Sequence, residues 1–233
     1  MNLPGTRDEP QDNGDWVKIA LTLVLTVLLA SSVDGQVRRR VPRPVEPSIW
    51  GSASVGLFNG NDVSDGETES TWDFGQASTP QLRLAVEKAV TRTISIGAVG
   101  TYADVPFTYR GPSGVCGACA AHMDVASLGV SFHLGGSEGF HQVLEGSAGA
   151  LQYRNLTRDD DGAALPPSDG NVDPYFTFGY GFGYGFGRKL QLSVVQDFGL
   201  ALHERSGLSS EQSNTLRHRT IRLNVRYGIG NRR

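Results

Sequence analysis

The stretch FTFGYGFGYGF occupies residues 176–186. Six aromatic side chains, Phe176, Phe178, Tyr180, Phe182, Tyr184 and Phe186, stand at every second position, with Thr177, Gly179, Gly181, Gly183 and Gly185 between them. A period of two puts the aromatics on one face of a β-strand and the small residues on the other. A row of glycines makes a poor solvated surface, but small residues fit the narrow interior of an eight-stranded barrel. Six rings in file would overfill that interior, whereas lipid accepts them. The strand is therefore read with its aromatics facing lipid and its glycines facing a lumen.

Seven further segments alternate in the same way, at about 49–58, 81–88, 93–102, 126–134, 140–153, 190–200 and 221–229. Eight strands with one apolar face each call for closure, which removes the two exposed edges of an open sheet. The predicted fold class is all-β, an eight-stranded antiparallel up-and-down transmembrane β-barrel. The connections alternate in length. Long ones span about 59–79, 103–122, 154–173 and 203–217; short ones lie near 89–92, 135–139 and 187–189. Barrels of bacterial outer membranes carry their long loops outside and their tight turns in the periplasm. Strands of about 9 to 13 residues also suit a tilted span of hydrocarbon. A soluble, lipocalin-like secreted barrel is the rival architecture. It would place Lys, Glu and Thr on its outer face, but the chain has only three lysines and its polar faces are mostly Gly, Ser and Thr.

Composition narrows the alternatives. Glycine accounts for 30 of 233 residues, about 13% where about 7% is usual. No G-X-Y period accompanies it, which excludes collagen. A hydrophobic share of 39% argues against global disorder. Two cysteines make neither a disulfide framework nor a four-cysteine zinc site. With 21 basic and 24 acidic residues there is no electrostatic case for nucleic acid.

The run VKIALTLVLTVLLA at 17–30 has the length of a signal-peptide core rather than of a spanning helix. Small residues after it place cleavage after Ser32 or Gly35. Residues 1–16 are acidic where a leader should be basic, so translation is expected to start near Val17. Residues 1–35 are read as an N-terminal extension plus signal peptide, 36–47 as a Pro/Arg-rich linker, 48–230 as the barrel and 231–233 as a tail. Loss of residues 1–35 removes two basic and five acidic residues and leaves 19 of each.

Over residues 48–230 this layout resembles the OmpA/OmpX-type family of small outer-membrane barrels, through its leader, eight alternating strands, loop asymmetry and amphipathic last strand. The resemblance implies export to a Gram-negative-type outer membrane, contact with its lipid and lipopolysaccharide, and insertion by the barrel-assembly machinery. Members of that family usually end in an aromatic residue read by that machinery. Here Val225, Tyr227 and Ile229 alternate but Gly230-Asn231-Arg232-Arg233 follows, so Tyr227 is the candidate for that role.

Six charges fall on the lumen face: Arg83, Glu87, Glu145, Asp197, Arg222 and Arg226. Unpaired charges in a dry lumen are costly, so a network of pairs is expected. Cys116 and Cys119 lie in the second long loop, where an oxidising setting favours a loop disulfide; a metal site with His122 is the alternative. Acidic residues gather at 62–73 and 159–161, and are read as solvated loop surface, with divalent cations as the alternative. Ser131 with His133, and His218 with Thr220, are the only histidine pairings resembling a nucleophile and base. Chance accounts for them, and no enzymatic role, cofactor or metal is expected. The function read from the sequence is a monomeric, structural or surface-interacting barrel that presents four long loops to an unknown extracellular ligand. A small-solute or ion channel and a lipid-modifying enzyme are the alternatives.

Overall fold

The computed structural model describes residues 46–75, 78–112, 114–167 and 171–231. The leader, most of the linker and Arg232–Arg233 lie outside them. Ten strands run in chain order: β1 (Ile49–Gly60), β2 (Val63–Asp65), β3 (Ser70–Asp73), β4 (Thr79–Ala89), β5 (Ile94–Arg110), β6 (Cys119–Gly135), β7 (Gly139–Arg158), β8 (Asn171–Phe186), β9 (Leu190–Leu202) and β10 (Thr215–Ile229). Eight of them, all but β2 and β3, pair with their chain neighbours in antiparallel fashion. The circle closes where β1 meets β10, from Ile49 opposite Ile229 to Gly60 opposite His218. Every strand edge of the barrel wall is thus hydrogen-bonded, the condition that lets backbone sit in hydrocarbon.

The strands are longer than their lipid-facing alternation. Segments expected as loops at 103–110, 119–122 and 154–158 continue as strand, so the second connection shrinks to residues 111–118 and the third to 159–170. The first connection contains the hairpin β2–β3, which pairs with the outer end of β5 from Thr71 opposite Arg110 to Asp73 opposite Thr108. The extra strand escaped sequence reading because the apolar face changes sides. In β5 the apolar residues Ile94, Ile96, Ala98 and Tyr102 point outward, but above Tyr102 the apolar set becomes Ala103, Val105, Phe107 and Tyr109, all buried inside. β6 changes likewise, from outward Leu128, Val130 and Phe132 to inward Ala121, Met123 and Val125. Below the change the wall faces lipid; above it the wall faces water and encloses an apolar core.

β7 is the most irregular strand. Its pairing with β6 slips between His122 and Asp124, and Asn155 there takes a φ of 52°. The bulge turns Leu156 inward, where it is buried in the outer core.

Candidate functional site

The lipid-facing surface comes first, because the strand period alone makes it. All six aromatics of β8 are exposed, from 39% for Tyr180 to 55% for Phe178. They continue a belt through Leu82, Leu84 and Val86 on β4, Val130 on β6, Val194 on β9 and Ile221 to Ile229 on β10. A wall so apolar is incompatible with solution in water, which overturns the soluble-barrel alternative.

Inside, the six expected charges are all buried and fall into two clusters. Nearer the chain ends, Arg226 on β10 meets Glu87 of β4 at 2.6 Å and stacks over Trp50 of β1 at 4.3 Å from its ring centroid. Ser95 donates to the same carboxylate at 2.6 Å, Ser131 donates to its other oxygen at 3.2 Å, and Gln191 accepts from Arg226 at 3.3 Å. Two alternations further along β10, Arg222 bridges Glu145 of β7 and Asp197 of β9; its Nε reaches Asp197 at 2.5 Å. Arg83 lies 3.5 Å from Glu145, and His133 bonds the same carboxylate at 3.0 Å. Thus three cations and three anions occupy a lumen that excludes water from them. Such pairs hold register; breaking one strands a buried charge.

The glycines make room for this network. A Cβ on Gly179 would sit 2.1 Å from Asp197 Oδ1, and one on Gly199 would sit 1.8 Å from Nε2 of His218. His218 in turn is joined to the Tyr175 hydroxyl at 2.6 Å. Ser131 and His133 are engaged with different partners, Glu87 and Glu145, whereas the Thr220 hydroxyl lies 3.4 Å from Nδ1 of His218; all four face the lumen rather than the lipid boundary.

Above the charges lies a feature that sequence reading missed. Phe58, Trp72, Phe74, Phe107, Tyr109, Met123, Leu151, Tyr153, Leu165 and Leu216 are among the residues that form an apolar core across the outer end of the barrel. At its edge His203, directly after β9, sits between two carboxylates. Its Nδ1 is 2.9 Å from Asp173 and its Nε2 is 3.4 Å from Asp65, with the Trp72 ring 5.0 Å away. Burial would lower the His203 pKa, but the hydrogen bond to Asp173 and the nearby Asp65 carboxylate prevail and hold it at about 9. Burial likewise works against ionised Asp65, and the neighbouring His203 with the bonds from the Thr68 and Glu67 amides brings it below the usual range. Asp65, expected in a solvated acidic loop, is thus buried. The three residues stand at 65, 173 and 203, and no local spacing could have joined them.

The remaining expected residues are on the outer surface. Cys116 and Cys119 are joined as a disulfide, with Cys119 opening β6. His122 turns to Asp159 at 2.7 Å and Thr157 at 2.9 Å, and the Asp159 bond raises its pKa. Asp73 pairs with Arg110 at 2.7 Å. Arg158 and the Ala163 amide bind Asp161, whose pKa is held at about 2. Among the described residues no group of three or more His, Cys, Asp or Glu is placed to hold a metal ion.

No family model matches the chain, and no curated protein matches it. Solved structures do. Neisserial surface protein A superimposes with a TM-score of 0.51 at 11% identity, over 78% of this chain and 97% of that one. OprG of Pseudomonas aeruginosa gives 0.46 at 10%, over 79% and 98%; Ail of Yersinia pestis gives 0.40 at 10%, over 78% and 99%. At such identities the likeness concerns the fold. Closed ring, apolar belt and superposition agree: this is the fold of the small eight-stranded outer-membrane β-barrels of the OmpA/OmpX type.

Proposed function

We propose that the protein is a closed, non-enzymatic barrel whose rigid outer end presents a contact surface outside the cell. The observation that carries this reading is the apolar core across the outer lumen, from Phe58 through Trp72 and Tyr153 to Leu216. Stacked on two buried ion clusters, it leaves no continuous polar path for a solute. The same core fixes the hairpin β2–β3 and the extended ends of β5, β6 and β7 as a folded platform rather than four independent loops. Binding residues are commonly carried by loops on such a rigid scaffold. Conductance of the purified, folded chain in a planar bilayer tests the reading. The expected record shows no discrete channel steps; reproducible ion-selective steps would replace this reading with that of a channel.

A further inference from the structure

Two histidines at the short-turn end of the lumen carry buried nitrogens that nothing in the wall engages. His133 lies near the end of β6 and His141 near the start of β7, on either side of the turn at 136–138. Nδ1 of His133 is 3.0 Å from the Glu145 carboxylate, and Nδ1 of His141 is 2.9 Å from the Gly139 carbonyl. A carbonyl only accepts, and so does Glu145, which is ion-paired with Arg222 and Arg83. Both Nδ1 atoms therefore carry the proton, and in the neutral rings both Nε2 atoms keep a lone pair. Among the described residues Nε2 of His133 and Nε2 of His141 are buried with no hydrogen-bond partner. A buried acceptor left in that state is costly.

Glycines shape the space around the two rings. A Cβ on Gly135 would sit 2.8 Å from Nε2 of His133 and 3.5 Å from Cδ2 of His141, so both rings border one small gap. A Cβ on Gly183 would sit 2.9 Å from Nε2 of His141. An imidazole whose Nδ1–H is held by a carboxylate or a backbone carbonyl, with Nε2 free, is the form in which histidine ligates metal. Two such donors stand here, and among the described residues no further His, Cys, Asp or Glu makes them a group of three. Zinc takes four ligands and would need waters to complete its shell. Copper accepts imidazole, and the cuprous ion, with its filled d shell, is satisfied by two nitrogens in line. Charge points the same way. The lumen carboxylates already have their arginines, so one added positive charge costs less in this interior than two. His141 is half-buried and close to the turn, so an ion reaches the pair from the mouth rather than through the lumen.

We propose that His133 and His141 hold a single cuprous ion through their Nε2 atoms at the short-turn mouth of the lumen. The site adds a ligand to the closed barrel and does not rest on what its outer end contacts. The test uses the full folded chain in zwitterionic micelles, with its disulfide intact. Cu(I) is supplied as the acetonitrile complex under argon, in competition with a chromophoric Cu(I) chelator, and native mass spectrometry counts the ions retained. Wild type is expected to retain one Cu(I) per chain. H141Q removes one of two donors and is expected to weaken binding by about 100-fold or more, beyond the roughly 10- to 100-fold that altered outer-shell partners cost. G135A leaves both ligands in place and fills the gap between them, so it is expected to weaken binding as well, and it carries the test should H141Q fold poorly. H122Q, which alters an exposed histidine far along β6, is expected to bind as wild type does. X-ray absorption of the wild-type complex is expected to show two nitrogen neighbours and no sulfur, and this reading needs no variant. Failure of wild type to retain Cu(I), unchanged affinity in folded H141Q or G135A, an equal loss in H122Q, or sulfur at the metal overturns the proposal.

Discussion

Arg222 is the residue on which the middle of the lumen turns. It touches both Glu145 and Asp197, so its loss leaves Glu145 with Arg83 and His133 as support and strips Asp197 of its ion pair. R222M is expected to cost about 3–5 kcal/mol, the usual penalty for removing one side of a buried pair. The urea midpoint of the folded barrel in vesicles measures it, and a shift below about 1 kcal/mol would mean that water reaches these groups. His203 makes a different claim, about pH. Its pKa rises from 6.5 to about 9 on folding. A raised value means that the protonated form is bound, so the stabilisation is complete below about pH 6.5 and fades as pH rises to 9. Trypsin cleavage after Arg205, exposed in the following loop, is expected to speed up over that range in wild type relative to H203Q. A constant ratio would show that His203, set between Asp173 and Asp65, does not hold this end of the barrel together. The sequence showed the Arg222 network because period two sorts charges onto a face. It hid the His203 cluster because Asp65, Asp173 and His203 meet only through the fold, all three within stretches that read as loop.

At the scale of elements, the change of apolar side within single strands is the main correction. An alternation that stops looks like the end of a strand, yet β5, β6 and β7 continue with the opposite face apolar. The change marks where lipid gives way to water as the outer solvent. A reader of the sequence who tracked parity as well as period would have placed the outer core at Val105, Phe107, Tyr109, Met123 and Val125. The short connection at 111–118 is tied by the disulfide of Cys116 to Cys119, the first residue of β6. It closes a very small loop, so C116S/C119S is expected to cost no more than about 2 kcal/mol by chain entropy. Hydrogen exchange should show that cost in residues 111–118 alone; faster exchange through β8 or β9 would show that the disulfide supports the barrel as a whole.

On the scale of the whole molecule, the belt decides where the chain can live. Phe182 lies within it, 45% exposed and stacked on Phe140 with ring centroids 5.6 Å apart. F182R is expected to destabilise the inserted barrel by about 2–4 kcal/mol, as a charge facing the bilayer midplane does. Equilibrium unfolding in vesicles checks this, and no change would place β8 away from lipid. Closure carries a further consequence, one of charge. The strand that seals the ring, β10, brings both Arg222 and Arg226. Without it, among the described residues, Glu87 and Asp197 have no arginine and Glu145 has only Arg83. The open sheet is therefore a net-acidic trough, and the strand that joins its two edges neutralises it in the same step. Sealing of the wall and balancing of its interior charge become one event, so an unsealed ring carries an electrostatic fault that marks it as open.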